Sequence, residues 1–189
     1  MSALLKPDAW LSPKAYLECE LRSEVRHEYL GGHVYAMAGA SRAHNVIAGN
    51  IFAALRGHLR GKKCRAFIND MKVRVPVKGR DVFYYPDVVV TCQARESSEY
   101  FTESPTIIFE VISKETEAVD RREKLISYFS LPSMKVYVLV DQYQRSVEVI
   151  RRSGKDWRLE NLKAANGKLH LPEIKFELAM PTIYEESGI

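Results

Sequence analysis

Cysteine is scarce: three residues, at positions 19, 64 and 92, in a chain of 189. No C-x-x-C pair occurs among them, so the common zinc frameworks are excluded and a disulfide scaffold is not expected. The expectation is reduced thiols in a cytoplasmic protein. No apolar run approaches the ~20 residues that span a bilayer, so no membrane role is expected. Lys6, Asp8, Lys14, Glu18 and Glu20 break up the first twenty residues, and no secretory signal is expected there. Repeats and low-complexity segments are missing. So are a Gly-rich phosphate loop and a Ser-His-Asp order. Neither sign of charge dominates: 28 Lys and Arg against 24 Asp and Glu give a net charge of +4. That balance is compatible with a nucleic-acid partner and does not by itself demand one.

What is present is an ordinary globular composition, 46% hydrophobic and 28% charged, at a length that suits a single domain over 1–189. Ser12-Pro13 starts a short helix reaching about Leu21. His27 to Met37 reads as a hairpin turned at Gly31-Gly32. Ser41 caps a long helix whose Ile47, Ile51, Ala54 and Leu55 share one face, and Gly61 ends it. Strands follow at Cys64–Ile68 and Met71–Val77, the second alternating with Lys72, Arg74 and Pro76 on a wet face. A polar loop over 93–104 and a helix from about Glu117 to Phe129 come next. Lys135–Asp141 is a buried strand. Ser146–Arg151, Trp157–Leu162 and Lys168–Leu171 complete a meander. The pattern predicts an α/β fold: a mixed β-sheet flanked by helices, an N-terminal helix and hairpin, and a C-terminal β-meander.

Two apolar runs each carry one acid. They are Val82–Val90, holding Asp87, and Thr106–Ser113, holding Glu110. Both are nearly continuous in β-branched and aromatic residues, as strands covered on both faces are. An unpaired carboxylate there costs several kcal/mol, so two in neighbouring strands ask for a shared cation. Mg²⁺ or Mn²⁺ suits carboxylate and water oxygens. Pro86 places Asp87 at an edge, a bulge or a strand start. The bland alternatives are a turn-bonded Asp87 and a Glu110 paired with an arginine. Lys124, four residues after Asp120, is either a surface ion pair or a cation reaching that site. His44, at the start of the long helix, either caps it or touches substrate. Basic residues at Arg56–Arg65 and at Lys72–Arg80 form either a solvated face or a phosphate-tracking one.

Taken together, several segments resemble the Uma-two branch of the PD-(D/E)XK nuclease superfamily. They are His27-Glu28-Tyr29-Leu30, Ala36–Asn45, Asp70–Val75, Tyr84-Tyr85-Pro86-Asp87-Val88, Glu110-Val111-Ile112-Ser113, Asp120-Arg121…Lys124…Tyr128 and Tyr137–Val140. The resemblance covers nearly the whole chain. It implies a restriction-endonuclease-like core, a Mg²⁺ (or Mn²⁺) ion on Asp87 and Glu110, and metal-dependent endonuclease cleavage of DNA. The superfamily pattern puts its lysine two residues after the acid, where this chain has Ile112; the branch resembles one whose lysine has moved to the helix, at Lys124. Asp87, Glu110 and Lys124 are thus the expected catalytic residues. Accessory places go to His44, Asp120 and Glu28, and nucleic-acid contacts to Arg42, Lys72 and Arg74. A homodimer is expected, because cutting a duplex needs a site for each strand. The alternatives are a catalytically inactive nucleic-acid-binding or interaction protein on the same fold and, third, an RNA-directed hydrolase.

Overall fold

A computed structural model describes residues 10–93, 98–114, 117–164 and 166–189. Helix α1 (Pro13–Glu20) begins where Ser12 Oγ accepts from Ala15 N at 3.2 Å and Pro13 takes the first helical position. Strands β1 (His27–Leu30) and β2 (His33–Ala36) form the expected hairpin. Both turn glycines have positive φ, and a Cβ on Gly32 would lie 2.2 Å from the Trp10 ring, so only glycine fits there. Ser41 caps α2 (Arg42–Leu59), which buries Ile47, Ile51 and Leu55.

Strands β3 (Arg65–Ile68), β4 (Lys72–Val77), β5 (Arg80–Tyr84), β6 (Val88–Thr91), β7 (Phe101–Thr102) and β8 (Pro105–Ile112) follow. Then come α3 (Glu117–Val119), a π-helical turn (Asp120–Lys124) and α4 (Leu125–Phe129). Strands β9 (Val136–Asp141), β10 (Val147–Ser153), β11 (Asp156–Leu162), β12 (Lys168–Leu171) and β13 (Phe176–Ala179) lead to α5 (Met180–Ile183). One sheet has five strands in the order β2-β1-β5-β4-β7, and another has six in the order β11-β10-β9-β8-β6-β3. β8 and β9 are parallel within an otherwise antiparallel set, so the six-stranded sheet is mixed. The fold is the expected mixed α/β architecture.

Three apolar clusters hold these layers together. One face of the six-stranded sheet packs on α2, α5 and the β12–β13 pair through Ile47, Ile51, Val88, Phe109 and Leu178. Its other face meets the five-stranded sheet and α4 through Val73, Val89, Ile108, Tyr128 and Tyr137. Tyr16, Tyr29, Val34 and Phe83 fasten α1 and the hairpin.

Four expectations need correction. Val82–Val90 is not one strand: β5 belongs to the five-stranded sheet and β6 to the six-stranded one. The chain changes sheets at Tyr85-Pro86-Asp87, where proline has no N–H for a ladder. The face of β4 expected to be wet is so only in part: Pro76 is exposed and Arg74 half-buried, but Lys72 is buried and donates to Tyr85 Oη at 3.2 Å. Lys168–Leu171 does not extend the β9-β10-β11 meander but pairs with β13. Cys64 and Cys92 are not reduced thiols but form a disulfide, while Cys19 is free. The two lie 28 residues apart in sequence, yet β3 and β6 pair Arg65 with Thr91 and so bring the flanking cysteines opposite each other.

Closing a loop of that length stabilises a fold by about 2–4 kcal/mol. Thermal unfolding with and without a thiol reductant is expected to show a corresponding drop in Tm. A Cys92→Ser chain that melts with the oxidised protein would contradict the cross-link.

Candidate active site

β6 and β8 run antiparallel with Val88 opposite Phe109, so Asp87 and Glu110 face each other across the ladder. Asp87 Oδ2 accepts from Val111 N at 2.7 Å, and Glu110 Oε2 accepts from Asp87 N at 3.3 Å. Each acid is therefore oriented by the other's strand. Both open onto one cavity of about 920 Å³, together with Glu28, His44, Asp120 and Lys124.

Lys124 arrives from the helical layer. Its Nζ lies 3.1 Å from Glu28 Oε1, 3.1 Å from Asp120 Oδ1 and 3.4 Å from Glu110 Oε1. The Asp120 contact is an ion pair without hydrogen-bond alignment. The π-helical turn spans Asp120 to Lys124. An α-helix advances about 100° per residue, so the extra residue held in a π turn re-aims the side chains beyond it. Below the turn, Tyr128 is buried and its hydroxyl lies 3.5 Å from Glu110 Oε1. Tyr137 Oη donates to the Asp120 carbonyl at 3.1 Å and holds the turn's first residue. Glu28 comes from β1, on the strand face shared with Leu30, which packs on the inter-sheet cluster. From the first turn of α2, His44 Nε2 lies 3.2 Å from Asp87 Oδ2.

The acids Glu28, Asp87, Glu110 and Asp120 thus share one lysine and one histidine. Burial, then the negative charges of Asp120, Asp87 and Glu28, push the Glu110 carboxyl well above its usual range, although Lys124 opposes this. Burial would lower Lys124, but Glu110, Glu28 and Asp120 outweigh it and hold the ammonium well above its ordinary value. Burial would also lower His44; the hydrogen bond and charge of Asp87, with Asp120, raise it instead.

All six residues expected at the centre or beside it therefore meet in one cleft. The three expected nucleic-acid contacts do not join them in the same way. Arg42 is exposed at the start of α2. Arg74 Nε pairs with Asp81 at 2.9 Å, with Glu103 on its other arm, and Lys72 is buried beside Tyr85. Sequence reasoning missed Tyr35, Gln142 and Tyr143, which also line the cleft. Gln142 Nε2 donates to the Ile112 carbonyl at 3.2 Å, and its Oε1 accepts from Ser41 Oγ, tying the end of β8 to the cap of α2. A turn glutamine carries no sequence signal for that. Tyr128 did carry one, standing four residues beyond Lys124 on the same helical layer.

The family model for Uma2, described as "Putative restriction endonuclease", matches residues 13–181. The chain belongs to the Uma2 family. It is 34% identical over 176 residues to the uncharacterized protein slr1290 of Synechocystis sp., covering 92% of this chain and 91% of that one. A second uncharacterized Synechocystis protein, sll1609, is 27% identical over 169 residues, covering 87% of this chain and 94% of its own. The crystal structure of a "putative nuclease belonging to DUF820" from Anabaena variabilis superposes with a TM-score of 0.73 at 14% identity, covering 92% of this Uma2 chain and 97% of that one. At that identity the likeness establishes the fold. No helix among the described residues is long and apolar enough to cross a membrane.

Among the described residues, no three His, Cys, Asp or Glu side chains are already arranged around a metal position. The donor chemistry nevertheless fits a hard divalent cation. Carboxylates outnumber the cations facing them, and burial together with those neighbouring charges holds the Glu110 carboxyl well above its usual range. Added positive charge would bring it down.

A carboxyl raised in the folded state destabilises that state as pH rises above the unfolded value of about 4.3, until the group ionises in the fold. Glu110→Gln removes the titration. In metal-free buffer its Tm should gain on the wild type as pH is raised from about 4 toward neutrality. Parallel Tm curves across that range would contradict a raised Glu110.

Proposed function

We propose that this Uma2 protein hydrolyses phosphodiester bonds of DNA as a Mg²⁺- or Mn²⁺-dependent endonuclease. The observation that carries the reading is the convergence of Asp87 and Glu110, opposed on adjacent strands, with the Lys124 ammonium 3.4 Å from Glu110. Membership of the Uma2 family supports the same reaction class.

Asp87 and Glu110 would hold the cation, which when bound supplies a more acidic water and neutralises charge on the phosphate. Lys124 stabilises negative charge developing on the phosphate oxygens, or orients the attacking water through its ammonium. Glu28 and Asp120 position that ammonium and keep it charged. His44 orients Asp87 through Oδ2. Tyr128 and Tyr137 close the floor against water, which strengthens each electrostatic contact in the cleft. Cutting both strands of a duplex requires two such clefts, which a homodimer supplies; cutting one strand requires one.

A second reading, a non-catalytic binding protein on this fold, has its own supporting observation. The carboxylate oxygens of Asp87 and Glu110 already accept from backbone N–H groups and approach His44 and Lys124.

Lys124→Met separates the two, because it keeps the aliphatic stem and removes the charge. Loss of one such electrostatic partner typically slows a reaction by about 100- to 1,000-fold. Metal-dependent cleavage of plasmid and of single-stranded DNA should fall by that factor, with far-UV circular dichroism unchanged. Equal rates for the two proteins would place any cleavage outside this cleft and favour the binding reading.

A further inference from the structure

Large hydrophobic side chains on the surface are few among the described residues, and two of them stand at the mouth of this cleft. Tyr35 is 54% exposed and Tyr143 is 52% exposed, and both line the cavity that holds Asp87, Glu110 and Lys124. Their positions are set by the fold. Tyr35 lies on β2 directly opposite Glu28, whose carboxylate meets Lys124. Tyr143 follows β9, where its backbone N–H donates to Asp141 Oδ1 at 2.7 Å and the preceding Gln142 is bonded to the end of β8. The Lys114 ammonium lies over the Tyr143 ring, 5.3 Å from its centre. Two solvated rings therefore border a pocket in which Lys124 and His44 stand among Glu28, Asp87, Glu110 and Asp120.

We infer that Tyr35 and Tyr143 stack on unpaired bases, and that the substrate of this cleft is single-stranded nucleic acid or an unpaired stretch within a duplex. The inference rests on the phosphodiesterase reading of the cleft. Bases in a duplex already stack on one another and offer side chains only their edges, whereas an unpaired base presents its whole face to an aromatic ring. Depth argues the same way. The Glu110 side chain is 4% exposed and that of Asp87 16%, so the acids are recessed behind the rim that carries the tyrosines. A flexible strand can lower a phosphate into such a recess while its neighbouring bases rest on the rim. A stiff duplex keeps its backbone on the outside of a cylinder and meets the rim first. Lys114 adds positive charge for the backbone at the rim, while Arg26, also lining the cavity, is paired with Asp70.

The test is fluorescence anisotropy on the full chain without divalent metal, using a fluorescein-labelled oligothymidylate, a duplex of equal length, and an abasic oligomer of the same charge. Stacking of one base contributes about 1–3 kcal/mol, a factor of roughly 5 to 150 in affinity. Tyr143→Leu and Tyr35→Leu should each weaken oligothymidylate binding by a factor in that range, and change duplex binding less than twofold. Tyr143→Phe and Tyr35→Phe should bind as the wild type does, and the abasic oligomer, which loses both stacks, should bind wild type more weakly than oligothymidylate binds either Leu variant. Oligothymidylate affinity unchanged in the Leu variants, an equal loss for single strand and duplex, or wild type that binds no oligothymidylate would each overturn the inference. Cleavage is read separately. Aromatic-dependent binding with no Mn²⁺- or Mg²⁺-dependent cutting keeps the stacking assignment and removes the catalytic one. Cutting that is indifferent to both Leu variants does the reverse.

Discussion

The Lys124 ammonium lies 3.1 Å from both Glu28 and Asp120 and 3.4 Å from Glu110, and without it these carboxylates would face one another with little water between them. Removing one partner of a buried ion pair typically costs about 3–5 kcal/mol, because the charge left behind has no compensation. Much of the surrounding architecture serves to place this one group. The π turn aims it, the Tyr137 hydroxyl fixes the turn at Asp120, and Tyr128 fills the space beneath. The hairpin must dock so that Glu28 reaches it, and α1 packs on that hairpin through Tyr16 and Tyr29, stacked with ring centroids 4.9 Å apart. A stability requirement and a chemical arrangement thus coincide in the same atoms.

The cleft lies where three layers meet. The six-stranded sheet contributes Asp87 and Glu110, the helical layer contributes Asp120 and Lys124, and the five-stranded sheet contributes Glu28. His44 enters from α2, which packs on one face of the six-stranded sheet. The change of sheets at Pro86 matters for this arrangement. It releases Asp87 from the ladder of β5 and leaves it at the start of β6, where a side chain can turn toward its neighbour on β8.

How much of this was legible depends on the kind of signal. Asp87 and Glu110 could be read because a carboxylate inside a run of Val, Ile and Phe contradicts its surroundings and needs a reason. Lys124 could be read from its spacing to Asp120 and from the apolar face of Leu125 and Tyr128, together with the family resemblance. The π turn could not, since Asp120–Lys124 holds no proline, glycine or other local signal that sets it apart from an α turn. Glu28 could be read only through the family resemblance, because its role depends on where a hairpin docks, a long-range property. The disulfide was missed for a similar reason: strand pairing, and no local motif, brings Cys64 to Cys92. The β12–β13 pair escaped because short alternating strands look alike whichever partner they take. Tyr35 and Tyr143 drew no attention because an isolated tyrosine in a strand or turn is ordinary until the cleft beside it is known.

The central claim is that Asp87 and Glu110 form a divalent-cation site governed by Lys124. Calorimetric titration of Mn²⁺ into the wild-type protein and into Glu110→Gln tests it most directly, because it reads the cation without requiring turnover. The account predicts saturable binding to the wild type and loss of that binding in the variant. Equal Mn²⁺ affinity in the two proteins would contradict it.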